Sequence, residues 1–186
     1  DPVLFLSAYQ LIGTALWFMG NFVIAQQKFE QGFSYYDPHQ HRSYTHLTDE
    51  DQGVVCLSYM AWNLWLLGFP DRSLKKCRKA LTLAHSLSHP LSTVFAQSYA
   101  AILHIYRQEP LKVQEHAEVA IALANEHGFE FFKAFAEIFL GFGQSLMGQN
   151  ESGLALIRKS LDDWKATGAR LGGTQFRAFL AEAYGK

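Results

Sequence analysis

The sequence predicts an all-α fold built as an array of antiparallel helix pairs, and three observations lead to this prediction. Apolar residues recur at helical spacing between short turn signals. The first helix of each pair carries almost no charge, whereas the second holds most of the Lys, Arg, Asp and Glu residues. The breaks within the pairs recur regularly, at Gly20, Gly68, Gln108 and Gly148, which are 48, 40 and 40 residues apart.

The predicted elements follow from these breaks, taken in chain order. Gly20-Asn21 splits the first pair, and the polar connection 37–51 that follows holds the eight extra residues of the first step. Gly-Phe-Pro-Asp at 68–71 splits the second pair, Glu109-Pro110 the third, and Gly-Gln-Asn at 148–150 the fourth. We predict one helical-repeat domain over residues 1–186, with pairs at 3–36, 53–87, 91–127 and 130–167 and an unpaired helix at 174–184.

Small residues recur at equivalent positions of the predicted helices. Leading helices, the first of each pair, carry Gly13, Ala61, Ala101, Gly141 and Ala181 in one column. Following helices carry Ala25, Ser73, Val113 and Gly153. Two helices of a hairpin approach closely only where side chains are small, so these columns predict the crossing points. A lone pair cannot bury its apolar face, so the pairs are expected to stack.

These columns resemble the tetratricopeptide repeat, with Gly13, Gly20, Ala25 and Phe29 as the clearest match. The period of 40 departs from the usual 34 of that motif, and Gln108 stands where glycine is expected. The resemblance implies a right-handed solenoid whose leading helices line the concave side.

The stretch GVVCLSYMAWNLWLLGFPDRSLKKCRKALTLAHSLSHP, residues 53–90, further resembles the helical-repeat region of large bacterial multidomain ATPases and adenylate/guanylate cyclases. That resemblance implies a regulatory scaffold beside catalytic domains, and the chain is expected to be part of a longer protein. No G-x-x-x-x-G-K-[ST] phosphate-binding motif occurs in these residues.

Composition narrows the function classes. The net charge of −1 gives no electrostatic case for binding nucleic acid or an anionic membrane. Pro2–Gln27 has no charged residue and the length of a membrane span, but polar residues and Gly20-Asn21 interrupt it, so a buried helix is favoured. Cys56 and Cys77 are too few for a disulfide framework, which favours free thiols and a cytoplasmic location.

The uncharged leading helices predict an apolar groove that binds a protein or peptide, because tryptophan and tyrosine are favoured anchors. An inducer-sensing domain for small molecules is the alternative. For any single aromatic side chain, packing between neighbouring helices is favoured, whereas binding is favoured for the groove as a whole. Gln10, Ser58 and Ser98 would be polar points in the groove. The predicted groove residues are Trp17, Phe18, Trp62, Trp65, Tyr106, Phe135 and Phe142.

No catalytic constellation is evident, and we predict neither enzyme activity nor a cofactor. His39, His41 and His46 lie close together, but their spacing is no recognised zinc pattern, so a solvated loop is favoured over a metal site. His104 is expected to be a satisfied core histidine, that is, a buried side chain whose hydrogen-bonding groups have partners within the protein. The basic cluster at 75–79 is expected to serve solubility, although it would also suit an acidic partner.

The last predicted helix lacks a partner helix. Its apolar residues are expected to remain uncovered or to be covered by another copy of the chain, which predicts self-association through this end. These residues are Phe176, Phe179, Leu180 and Tyr184.

Overall fold

A computed structural model describes residues 1–38 and 49–185, and within these residues the chain is helical and contains no strand. The α-helices are α1 Pro2–Phe18, α2 Phe22–Phe33, α3 Gln52–Leu66, α4 Pro70–Leu87, α5 Pro90–Tyr106, α6 Pro110–His127, α7 Glu130–Leu146, α8 Asn150–Ala166 and α9 Gly173–Tyr184. The chain divides into two compact units, Asp1–Tyr99 and Ala100–Lys186. No described helix combines the length and the hydropathy needed to cross a bilayer.

The four breaks predicted from the sequence are left-handed turns. Gly20, Gly68 and Gly148 have φ angles of 79°, 82° and 81°, a region that glycine enters without steric cost. Gln108 takes the equivalent position with a φ of 57°. Its side-chain Nε2 donates to the Ile105 carbonyl at 3.1 Å, a local hydrogen bond that helps a non-glycine residue hold this conformation.

Helix α2 ends at Phe33, three residues before the predicted end, and Tyr36 lies in the segment that follows. The Tyr36 hydroxyl donates to Asp51 Oδ2 at 3.0 Å. The other carboxylate oxygen of Asp51 caps α3 by accepting from the Val54 N–H at 3.0 Å. A Cβ added at Gly53 would lie 2.4 Å from the Tyr36 ring, so the two residues pack without space for a larger side chain.

In the first unit, small residues allow the paired helices to approach closely, as the columns predict. A Cβ added at Gly13 of α1 would lie 2.6 Å from the ring of Phe29 on α2, and Phe29 is fully buried. In the next hairpin, the Ser73 hydroxyl of α4 donates to the Ala61 carbonyl of α3 at 2.7 Å. The first two hairpins therefore use the same crossing position.

The second unit repeats this contact. A Cβ added at Gly141 of α7 would lie 2.8 Å from the Gly153 carbonyl oxygen of α8, so the two backbones nearly touch. A Cβ added at Gly143 would lie 2.9 Å from the Val113 side chain of α6, which places the preceding helix on the neighbouring side of α7.

The expectation that the last helix stays uncovered is wrong for its two phenylalanines. Phe176 and Phe179 of α9 are 1% and 7% exposed. Phe176 meets Trp164 of α8 edge to face at 5.1 Å between ring centroids, and Phe179 stacks on Phe142 of α7 at 4.7 Å. Of the apolar residues predicted to be uncovered, only Tyr184 is widely exposed, with 52% of its surface accessible. The two phenylalanines are buried because α7 and α8 both pack against α9.

Candidate functional site

A recess of about 380 Å³ opens in the first unit, among the leading helices α1, α3 and α5. Ser7, Gln10 and Leu11 lie three and four residues apart, so they share one side of α1. Val55 and Tyr59 share one side of α3 for the same reason. The lining residues are Ser7, Gln10, Leu11, Glu50, Gln52, Val55, Tyr59 and Phe95.

Tyr59 connects the recess to a cluster of aromatic rings beneath it. Its ring centroid lies 5.5 Å from that of Phe29 and 5.1 Å from that of Tyr99. Phe95, which also lines the recess, stacks on Tyr99 at 4.3 Å. The aromatic cluster therefore supports one wall of the recess with side chains from three helix pairs, and such a rigid apolar wall suits binding.

The hydroxyl groups of this cluster are paired with each other. Tyr99 donates to the Tyr59 hydroxyl at 2.9 Å. Burial raises the pKa of both phenols above the ordinary value, so both stay neutral at physiological pH. The pair fixes the orientation of Tyr59 and supplies no charge to the recess.

Polar residues also line the recess. Burial raises the pKa of the Glu50 carboxyl, with a smaller contribution from Asp49, while a backbone hydrogen bond opposes the shift. Gln10 is 7% exposed, and its Nε2 donates to the Thr14 hydroxyl at 2.9 Å. Gln52 donates to the Glu50 carbonyl at 3.4 Å. Apolar walls with a few polar groups are typical of recognition sites.

Of the predicted groove residues in the first unit, three come together. Trp17 lies 4.3 Å from Trp62 and 5.0 Å from Phe18 between ring centroids. Trp62 is 5% exposed and belongs to the aromatic cluster, while Phe18 is 43% exposed. Trp65 is half-buried near the end of α3. None of these four lines the recess, although Trp17 and Trp62 both contact Tyr59.

In the second unit, the predicted groove residues lie mostly in the core. Phe135 is 9% exposed and meets Phe139 at 4.6 Å, and Phe142 is 1% exposed beneath Phe179. Tyr106 is half-buried, and its hydroxyl accepts a hydrogen bond from Gln175 Nε2. The structure thus gives Phe135 and Phe142 packing contacts, and these account for their positions.

Sequence reasoning missed Tyr59, Phe95 and Tyr99. A signal was present, because Tyr59 and Tyr99 are 40 residues apart and therefore occupy the same position in consecutive repeats. Trp62, which was predicted because tryptophan is the larger anchor, lies one turn after Tyr59 on α3. Gln10 was predicted as a polar point of the groove, and it does line the recess.

The second unit holds a pair of stacked histidines, of which His104 is buried and His116 is half-buried. His104 is 7% exposed, and its Nδ1 lies 2.5 Å from Glu109 Oε2. Arg107 donates to both carboxylate oxygens of Glu109, at 2.9 and 3.0 Å. His116 stacks on His104 at 5.2 Å between ring centroids. The prediction of a satisfied core histidine at position 104 is confirmed.

Within the described ranges 1–38 and 49–185, no three His, Cys, Asp or Glu side chains converge as a metal site would require. His39, His41 and His46 lie outside those ranges. Cys56 and Cys77 are both buried free thiols, as the sequence predicts. Burial raises the pKa of Cys56 to about 12, so it is an unreactive thiol at neutral pH.

Comparison with known proteins identifies the fold. No protein-family model matches the chain, and no curated protein sequence matches it. A crystal structure of nearly identical TPR-like repeats, assigned to a kinesin light chain of Podosopora anserina, superposes with a TM-score of 0.66 at 13% identity. The match covers 99% of this chain and 87% of the other, so the chain has an all-α, tetratricopeptide-like helical-repeat fold.

Proposed function

We propose that this chain is a non-catalytic scaffold that binds a protein or peptide through the recess between α1, α3 and α5. The observation that carries the proposal is the recess itself: an opening of about 380 Å³ among uncharged helices, lined by aromatic, aliphatic and polar residues. A volume of this size accommodates one or two side chains of a peptide rather than a large cofactor.

The lining residues indicate the chemistry of the partner. Leu11 is 65% exposed, and together with Phe95 and Tyr59 it offers apolar surface to an aliphatic or aromatic side chain. The amide groups of Gln10 and Gln52 are suited to hydrogen bonds with the backbone of the same peptide. We therefore propose a partner segment with one apolar anchor and an accessible backbone.

We further propose that this scaffold is the regulatory region of a cytoplasmic signalling ATPase or cyclase. The resemblance of residues 53–90 to the repeat region of such proteins supports this role. Neighbouring domains of such a protein would then be candidate sources of the bound segment.

A second candidate function is the sensing of a small-molecule inducer. The volume of the recess favours it, since about 380 Å³ falls inside the roughly 300–1,000 Å³ range of small-molecule pockets. The two candidates share the site and differ in the ligand.

The test selects a displayed random-peptide library on the purified full chain and measures the affinity of the enriched peptides by fluorescence polarisation. A metabolite library is screened in parallel by thermal shift. Leu11→Glu should weaken peptide binding at least about tenfold, because a charge then faces the apolar anchor. Leu4→Glu is the matched control, since Leu4 is 67% exposed on the same helix and does not line the recess.

Peptide binding that is lost in Leu11→Glu and retained in Leu4→Glu supports the scaffold function. A metabolite response with the same dependence supports the sensing function instead. Peptide binding that is unaffected by Leu11→Glu would contradict both assignments of the recess.

A further inference from the structure

A second recess, of about 260 Å³, lies in the second unit between the end of α8 and the start of α9. Three of its lining residues are basic, and within the described part of the chain no carboxylate lines it. The recess of the first unit differs, since Glu50 lines it and no basic residue does. The residues of this basic recess are Leu161, Trp164, Lys165, Ala169, Arg170, Gly173, Thr174 and Arg177.

The two arginines of the basic recess are available to a ligand. Arg170 and Arg177 are exposed, and neither forms an ion pair with a residue that the structure describes. Lys165 Nζ lies 2.9 Å from Asp162 Oδ1, but both side chains are more than half exposed, so this ion pair contributes little and exchanges readily. Arginine binds phosphate and carboxylate oxygens through pairs of parallel hydrogen bonds. The recess therefore offers two such groups to one anion.

The start of α9 adds backbone donors to the same recess. Gly172 precedes the helix with a φ of 96°, and no side chain caps the first N–H groups. The first two residues of α9, Gly173 and Thr174, both line the recess. The N-terminus of a helix attracts anions through its dipole and through its N–H groups. The basic side chains and the helix therefore favour the same kind of ligand.

Trp164 is a separate observation that points to a ligand. It lines the recess and is 2% exposed, and its indole Nε1 has no hydrogen-bond acceptor among the described residues. A buried donor without an acceptor is uncommon in a native protein, and an oxygen atom of a bound ligand would satisfy it. The ring is held edge to face against Phe176, and with Leu161 it gives the recess an apolar wall.

We propose that the basic recess binds a small organic phosphate, whose phosphate group contacts Arg170, Arg177 and the start of α9 and whose carbon group packs on the apolar wall. A phosphate monoester carries nearly two negative charges at neutral pH, so it matches this cluster of positive charge better than a carboxylate does. A volume of about 260 Å³ holds a phosphate with a small carbon group rather than a larger ligand. The site belongs to the second unit and is distinct from the recess of the proposed function.

The experiment titrates phenyl phosphate, inorganic phosphate and benzoate into the full chain at low salt by isothermal titration calorimetry. Phenyl phosphate should bind most tightly, because it combines the phosphate charge with an apolar ring. Arg177→Gln should weaken its binding at least about tenfold, because a charge-assisted contact is lost. Thr174→Glu should also weaken it, and since a carboxylate in the first turn stabilises a helix, this variant should remain folded.

Arg72→Gln is the matched control. Arg72 is an exposed arginine of α4 and does not line the recess, so the same charge is removed elsewhere. Circular dichroism should show unchanged helicity in all three variants.

Binding of phenyl phosphate that Arg177→Gln and Thr174→Glu weaken and that Arg72→Gln preserves is the expected result. An absence of binding up to about 10 mM phenyl phosphate would overturn the proposal. Binding that keeps its affinity in both recess variants would also overturn it. Inorganic phosphate or benzoate that binds as tightly as phenyl phosphate would overturn the assignment to an organic phosphate.

Discussion

The first two hairpins have leading helices of the same kind and different burial. Helices α1 and α3 are both uncharged and are 17 and 15 residues long. Four residues of α1 are buried, whereas twelve residues of α3 are buried. The difference follows from position in the stack, since α2 covers one side of α3 and no described helix occupies that side of α1. The burial of a helix in this fold is therefore set as much by its neighbours as by its own sequence.

The largest expected effect comes from placing the same charge at equivalent positions of the two helices. Met60→Asp should destabilise the fold by about 4 kcal/mol or more, because it buries an unpaired carboxylate where Met60 is fully covered. Ile12→Asp should cost no more than about 1 kcal/mol, since its site is open to water. Urea unfolding of the two variants and the parent chain measures both. Equal losses of unfolding free energy in the two variants would contradict the difference in burial between α1 and α3.

A smaller effect is expected within the first hairpin, where α1 does have a covered side. Gly13→Ala should destabilise by about 1–2 kcal/mol, because the overpacking against Phe29 exceeds the gain in helix propensity. Ala8→Gly, at an exposed position of the same helix, reports the propensity difference alone. A Gly13→Ala chain more stable than the parent would show that α1 and α2 are not in close contact.

The smallest expected effect is the loss of stability on acidification that comes from His116, which lies in the second unit. Burial lowers the pKa of His116 to about 4, and the charge of His104 acts in the same direction while Glu115 opposes it. The unfolded chain, with a histidine pKa of about 6.5, then binds more protons between pH 6.5 and 4. The contribution of neutral His116 to the free energy of unfolding should be fully present above pH 6.5. The free energy of unfolding should then fall by on the order of 1 kcal/mol as the pH approaches 4.

Urea unfolding of the parent chain and of His116→Gln at pH 7 and pH 4.5 checks this expectation. The parent should lose more stability than the variant. Helix α1 should not contribute to the loss, because Tyr9 is its only ionisable side chain. An identical loss in both chains would contradict the assignment to His116.

The helix breaks and crossing points were predictable because backbone constraints leave a local signal. A left-handed turn favours glycine, and a close helix crossing requires a small side chain, so Gly20 and Gly13 are visible without any knowledge of tertiary structure. Gln108 shows the limit, since a hydrogen bond from its own side chain substitutes for the missing glycine.

The binding surface was less predictable because aromatic residues occur in grooves and in cores at the same spacing. Phe142 and Trp17 both lie on leading helices, yet Phe142 is 1% exposed and stacks on Phe179, while Trp17 is half-buried. Helix α9 helps to bury Phe142 through Phe179, and the packing of α9 depends on contacts between residues distant in the sequence. The different burial of α1 and α3 was equally hidden, since the two helices have similar compositions.

The central claim is that the first hairpin presents an uncovered face whose counterparts in later repeats are covered. Hydrogen exchange of the full chain, followed by mass spectrometry on peptides from α1 and α3, tests it most directly. We predict that α1 amides exchange at least about 100-fold faster than α3 amides. Equal protection of the two helices would contradict the account.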